Sequence, residues 1–358
     1  MLLVAGSFLV SLGAAEIYLR SRLFDSHYIW TPFLEREFAP EPGVMPGVEG
    51  PSRFTVNALG LRGAPPGADV RLKILALGGS TTECLYLDDL EAWTSIASAR
   101  ISDANGAKGG TWIGNGGRSG LKAEHHLAQI RVAPEMVPNL DAVLVLVGIN
   151  DVVAFLKYPG QRPASEAEIA KLAFRVSPEG LSQTGYPWHK RTALWSFARR
   201  LYYRSMEEGM RQPESGATYD VARQQRADAK PFLDVMPSAE EALATYSSTL
   251  LEIVRAARSH GLRLVLVTQP VLWKAENSPA EESALWFGGS PAGYYSSAVL
   301  FEAMQSFNEE LRKVCAVTGC ELIDLARELP ATLENYYDDC HFTEIGSSAV
   351  ADIIATHF

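Results

Sequence analysis

Cysteine is scarce and positive charge is not in surplus. Four cysteines stand in 358 residues, too few for the dense disulfide framework of small secreted domains. No Cys/His run has zinc-ligand spacing, so neither a metal nor any other cofactor is expected. Lys and Arg total 32 against 42 Asp and Glu, a net charge of −10. That balance argues against the basic face that non-specific binding to nucleic-acid phosphates requires. Internal repeats and low-complexity tracts are also missing, which excludes a solenoid. No basic residue precedes the apolar N-terminal run "MLLVAGSFLVSLGAAEIYLRSRLF", whereas Arg20 and Arg22 come after it. A spanning helix takes about 20 apolar residues and a signal-peptide core about 7–15, so residues 1–23 fit three readings: a membrane anchor, a signal segment cleaved near Gly13-Ala14-Ala15, or a buried helix. The trailing arginines oppose export of the C-terminal part of the chain.

What is present reads as an ordinary globular protein, 47% hydrophobic and 21% charged. Residues 24–70 are rich in Pro and Gly and read as a tether and irregular lead-in. From 71 onward, apolar runs alternate with amphipathic segments. "RLKILALGG", "TWIGNGG", "DAVLVLVGIND", "LRLVLVTQP" and "CELIDLA" predict five buried strands, with helical spacing between and after them. The pattern predicts a flavodoxin-like three-layer α/β/α fold with a five-stranded parallel sheet over 71–358. Two insertions, at about 152–237 and 271–297, interrupt the rhythm.

In such sheets the ligand crevice lies beyond the carboxyl ends of the strands. Gly79-Ser80 follows the first strand, Asn115-Gly116-Gly117-Arg118-Ser119-Gly120 the second, and Gly148-Ile149-Asn150-Asp151 the third; Asp338-Asp339-Cys340-His341 precedes the last helix. These clusters are chemically complementary. A serine hydroxyl needs a base within reach and a third group to orient that base. His341 can be the base for Ser80, and Asp338 can fix its tautomer. Backbone amides and an Asn side chain suit a developing oxyanion, so Ser80, Gly117 and Asn150 are the expected donors.

In these four blocks the chain resembles the SGNH-type (GDSL-like) hydrolases, named for Ser, Gly, Asn and His. Ser80, Gly117, Asn150 and His341, with Asp338, match block by block, over roughly residues 72–358. The first block reads Gly-Gly-Ser-Thr in place of Gly-Asp-Ser, which leaves substrate class open. The Asp-x-x-His spacing selects Asp338 over Asp339. "NALGLRG" followed by "GGSTT" is similar to a bacterial subgroup that often carries an N-terminal membrane segment, which implies an anchored, extracytoplasmic domain, or a secreted one. The resemblance implies a serine esterase acting on a carboxylic ester, an O-acyl group on a carbohydrate or a small acyl ester, through an acyl-enzyme. Acyl transfer to a polysaccharide hydroxyl would use the same site. A membrane-tethered binding protein without catalysis is the third reading, and a binding module has no need of an oriented Ser–His pair.

Gln269 ends the fourth strand and is read as either a substrate contact or a loop support. Trp273, Trp286, Phe287, Tyr294 and Tyr295 form either a sugar-stacking wall or ordinary packing. His125 and His126 read as solvated. The basic patch His189, Lys190, Arg191, Arg199, Arg200 and Arg204 reads as a solvated helix face or a contact for an anionic surface. Cys84 and Cys340 flank the expected nucleophile and base on neighbouring loops, and Cys315 and Cys320 bracket a turn. Each pair reads as either a disulfide or two buried thiols.

Overall fold

A computed structural model describes residues 2–23, 27–106, 110–162, 164–175, 192–195, 197–198 and 216–358. In chain order the elements are α1 (Leu2–Leu23), β1 (Glu35–Phe38), β2 (Ser52–Thr55), β3 (Val70–Gly78), α2 (Ser80–Glu83), α3 (Trp93–Asn105) and β4 (Gly110–Gly117). Then come α4 (Ala123–Arg131), α5 (Ala133–Met136), β5 (Ala142–Leu146), α6 (Ile149–Lys157), α7 (Glu166–Ala173), α8 (Ala217–Asp228), α9 (Glu240–Ser259) and β6 (Arg263–Val267). The chain closes with α10 (Pro279–Ala284), β7 (Gly289–Ser290), β8 (Gly293–Tyr294), α11 (Ser297–Thr318), β9 (Glu321–Ile323), α12 (Leu325–Glu328) and α13 (Glu344–Ala355).

The central sheet has the order β4-β3-β5-β6-β9, and every pairing in it is parallel. This is the expected five-stranded α/β fold. Leu75–Leu77, Ala142–Leu146 and Leu264–Val267 are all buried, as strands covered on both faces must be. The helices α3 and α13 pack together on one side, and α4, α9 and α11 on the other. The helical stretch that follows β4 is divided into α4 and α5 at Val132, because Pro134 falls in the first turn of α5 and cannot donate to a continuing helix.

Two expectations need correcting. The lead-in is not a loose tether: β1 pairs with β2, Arg62 bridges Asn115 at the outer edge of β4, and Trp30 Nε1 donates to Gly117 O at 2.9 Å. The N-terminal run is the helix α1, but among the described residues no helix is long and apolar enough to cross a membrane. The expected membrane segment is therefore not supported. Glu16 accepts the backbone N–H groups of Ala193 and Leu194 at 2.9 Å each, and Leu19 packs against Ala193, so the polar half of α1 docks on protein. The basic patch from His189 to Arg204 lies outside the described residues.

Candidate active site

Gly78 and Gly79 are glycines for want of room. A Cβ on Gly78 would meet Thr82 Oγ1 at 2.1 Å and Leu146 O at 2.8 Å, and one on Gly79 would meet Asn150 Nδ2 at 2.4 Å. The chain passes between β5 and Asn150 and immediately enters α2, whose first residue is Ser80. Thr82 N and Glu83 N donate to Gly79 O at 3.1 and 3.0 Å, and Cys84, at φ +51, closes the turn with its N–H on Ser80 O. The buried Arg62 braces this turn from behind. It pairs with Asp89 at 3.0 Å and donates to the carbonyls of Glu83, Cys84 and Leu87. A charged residue in the lead-in attracted no notice in the sequence; its burial is what reveals its task.

The loop that carries His341 is densely held. His341 Nδ1 lies 2.6 Å from Asp338 Oδ2, which leaves Nε2 as the nitrogen that can exchange a proton. Asp338 also accepts from Trp286 Nε1 at 3.0 Å, Cys340 N at 2.9 Å and His341 N at 2.8 Å. Burial would depress the imidazole pKa, but the Asp338 carboxylate beside it outweighs this and holds it well above the ordinary value. Burial works to raise Asp338, yet the charge and hydrogen bond of His341 keep it low. Asp339 faces away: it accepts from Trp273 Nε1 at 2.7 Å, Trp286 N at 2.8 Å and Phe287 N at 3.2 Å. Burial and the charge of Asp338 push Asp339 up to about 6.

Aromatic rings enclose His341. Tyr337 stacks on it with centroids 5.7 Å apart, and Tyr219 and Phe287 meet it edge-on at 6.4 and 6.5 Å. Tyr219 belongs to α8, inside the first insertion. Arg223 donates to Val44 O and Tyr337 O, and Arg226 to Phe287 O and Tyr295 O. The first insertion is thus tied to the loop of His341 and to the second insertion, which itself reaches that loop through Trp286 Nε1 on Asp338. Of the five aromatic residues singled out in the second insertion, Trp286 and Phe287 reach this site. Trp273 and Tyr295 are buried supports, and Tyr294 lies over Gly289 in the small β7–β8 ribbon.

The oxyanion side departs from expectation. Gly117 does lie against the turn that carries Ser80, since a Cβ there would crowd Glu83 N. Its N–H, however, donates to Asn115 Oδ1 at 2.9 Å and is not free for an oxyanion. Three residues on, Gly120 is exposed at φ +80, with no partner for its N–H among the described residues. Asn150 Nδ2 donates one proton to Leu121 O at 2.9 Å and has a second to offer. The loop 118–121, Asn150 and Gly79 thus meet beside Ser80. The charge of His341 acts on Glu83 and Cys84, also on this turn.

Gln269 is 1% exposed; it accepts from the Thr81 hydroxyl at 3.3 Å and donates to Pro270 O. It supports the turn that carries Ser80 and is too buried to touch substrate. His125 and His126, expected in solvent, are buried, and burial brings each down to about 4; both are neutral. His125 Nδ1 accepts from Lys122 N at the start of α4, and His126 Nδ1 meets Gln129 Oε1. All four cysteines are free, so neither bridge is formed; Cys84 Sγ donates to Thr81 O and Cys340 Sγ lies 3.9 Å from His341 Nδ1. Asp338, Cys340 and His341 gather ligand atoms within 4.8 Å of one another. Nδ1 and Oδ2 are already in hydrogen-bond contact, and that spacing suits a shared proton rather than an ion between them.

The model of the GDSL-like lipase/acylhydrolase family matches residues 76–349. The chain belongs to this family. It is an ester-hydrolysing enzyme of the SGNH type. No curated protein matches the sequence. Among solved structures it is similar to a lipase/acylhydrolase from Enterococcus faecalis at 12% identity, covering 80% of this chain and 95% of that one with a TM-score of 0.43. A carbohydrate acetylesterase from Sinorhizobium meliloti is similar at 13% identity, 80% and 98% coverage and a TM-score of 0.42. For an acetylxylan esterase from Geobacillus stearothermophilus the values are 12%, 81%, 94% and 0.42.

Proposed function

We propose that Ser80 is the nucleophile of an esterase that hydrolyses an O-acyl group on a carbohydrate, or a small acyl ester, through an acyl-enzyme. The observation that carries this reading is the 2.6 Å contact between His341 Nδ1 and Asp338 Oδ2. A carboxylate that fixes one imidazole nitrogen as donor makes the other the base. His341 Nε2 takes the Ser80 proton as Oγ attacks the ester carbonyl. The negative oxygen of the tetrahedral intermediate is met by the free proton of the Asn150 amide and by the N–H groups of Gly120 and Ser80. His341 then protonates the leaving alcohol, and water repeats the sequence on the acyl-enzyme. Gly120 takes the place first given to Gly117. The rings of Tyr219, Trp286 and Phe287 offer an apolar, partly exposed wall for an acyl chain or a sugar face.

The test is a panel of acyl esters, assayed with and without polysaccharide acceptors, on the wild type and Ser80→Ala. Turnover should fall by several orders of magnitude in the variant, and product release should not depend on the acceptor. Ordinary esterase activity in Ser80→Ala would sink the assignment. Acceptor-dependent turnover would make the enzyme a transferase.

A further inference from the structure

Glu83 lies three residues after the serine with its side chain inside the turn, and the residue is 2% exposed. The acyl-transfer steps make no use of it, and burying a carboxylate is costly unless it is paired and hydrogen-bonded. Its Oε2 accepts the backbone N–H of Ser119 at 2.7 Å and also the Ser119 hydroxyl. Ser119 is itself exposed and directly precedes Gly120, whose N–H lies in the peptide plane joining the two. One end of this loop is fixed where Arg118 N donates to Gly78 O and the other where Leu121 O accepts from Asn150. Between these points the carboxylate of Glu83 is what ties Ser119 down.

Around the carboxylate stand Arg62 and His341, whose positive charges favour its ionised form, and the Cys84 and Tyr86 groups. Burial pushes the Cys84 thiol up to about 11 and raises Tyr86, so both stay neutral. Burial raises Glu83 as well, against the pull of the Ser119 hydrogen bonds and Arg62.

We propose that Glu83 is a positioning residue for the oxyanion loop, tying Ser119 to the nucleophile's own turn so that the Gly120 N–H and the Ser80 hydroxyl keep one fixed relation. This rests on the acyl-enzyme reading above. Oxyanion donors are effective because they are in place before charge develops, and a misplacement of about 1 Å can cost about 10²-fold. A carboxylate on the nucleophile's element, reaching the donor's loop, keeps both from drifting apart.

The experiment compares Glu83→Ala, Glu83→Gln, Ser119→Ala, the double variant Glu83→Ala with Ser119→Ala, and Ser80→Ala. It reads kcat and KM on a small acyl ester and affinity for a tetrahedral boronic acid. Glu83→Ala removes the acceptor that holds Ser119 and should lower kcat about 10–100-fold with KM nearly unchanged, and boronate affinity should fall in parallel. Glu83→Gln keeps an amide oxygen that can accept both Ser119 bonds and should restore most of both. Ser119→Ala keeps the backbone contact and should lose only a few-fold, and the double variant should be no worse than Glu83→Ala. Wild-type kcat and boronate affinity in Glu83→Ala, or effects that multiply independently, would overturn the proposal while Ser80→Ala stayed inactive. Activity in Ser80→Ala would instead overturn the acyl-enzyme reading. Should Glu83→Ala fail to fold, Ser119→Ala decides: full boronate affinity there counts against the tie.

Discussion

The two loops that flank Ser80 are built in opposite ways. The base loop is over-determined: Asp338 accepts four N–H groups, Asp339 holds Trp273, Trp286 and Phe287, and three rings enclose His341. The loop 118–121, proposed to meet the oxyanion, is exposed at Ser119 and Gly120 and is fixed by a few contacts to Gly78, Glu83 and Asn150. A general base must keep its tautomer and orientation through the whole cycle, so it gains from redundancy. An oxyanion donor must leave one N–H unspent, and a densely bonded loop would consume it, as Asn115 consumes that of Gly117. Damage to the first loop should therefore reach both chemistry and stability, and damage to the second chemistry alone.

The sharpest break in that contrast is Asp338→Asn. It should lower kcat by about 10⁴-fold through the wrong tautomer. Asp338 raises the His341 pKa, so its loss should move the acid limb of kcat/KM to lower pH. An unmoved limb would mean that another group sets it. Next, Asn150→Ala should cost about 10²–10³ in kcat with little change in KM, and thermal unfolding should shift little. A raised KM at constant kcat would make Asn150 a ground-state contact instead.

Asp339→Asn should act on stability more than on rate, because an amide turns N–H groups toward the donors that Asp339 now accepts. A loss of about 1–3 kcal/mol is expected. Asp339 has a folded pKa of about 6, above the unfolded value of about 3.9. Its charged form therefore costs stability above pH 6, and that cost is relieved as pH falls from 6 toward 4. The variant should lack this component in a plot of Tm against pH; an identical slope would show that Asp339 does not titrate in the range. The smallest effect expected is from Tyr219→Ala, which removes a ring from the wall of the site and should alter KM among acyl groups while leaving kcat for the smallest ester within a few-fold.

The sheet was legible because strands buried on both faces must be apolar throughout, and "LALGG" and "AVLVLVG" admit little else. Ser80, Asn150, Asp338 and His341 could be picked out as candidates because such a sheet gathers its strand ends at one edge. The choice between Gly117 and Gly120 was not, since it turns on which N–H the Asn115 side chain occupies. Arg62 and Glu83 escaped notice because charged residues are solvated by default, and nothing local reveals that two of them meet under a turn. His125 and His126 were misread for a similar reason. The apolar spacing of Ala123, His126 and Ile130 on α4 was the available sign that this face is covered.

The grip of Arg62 on the turn after Ser80 also bears on how short an active chain can be. The repeating strand–helix pattern begins at residue 71, and a cut there would look harmless. It would remove the guanidinium from behind Glu83, Cys84 and Leu87, leave three carbonyls to water, and strip Asn115 of the neighbour along its edge. The five strands would remain and the serine would still be present, but its setting would be gone. The residues ahead of the first buried strand thus belong to the setting of Ser80 as much as the strand–helix pattern does.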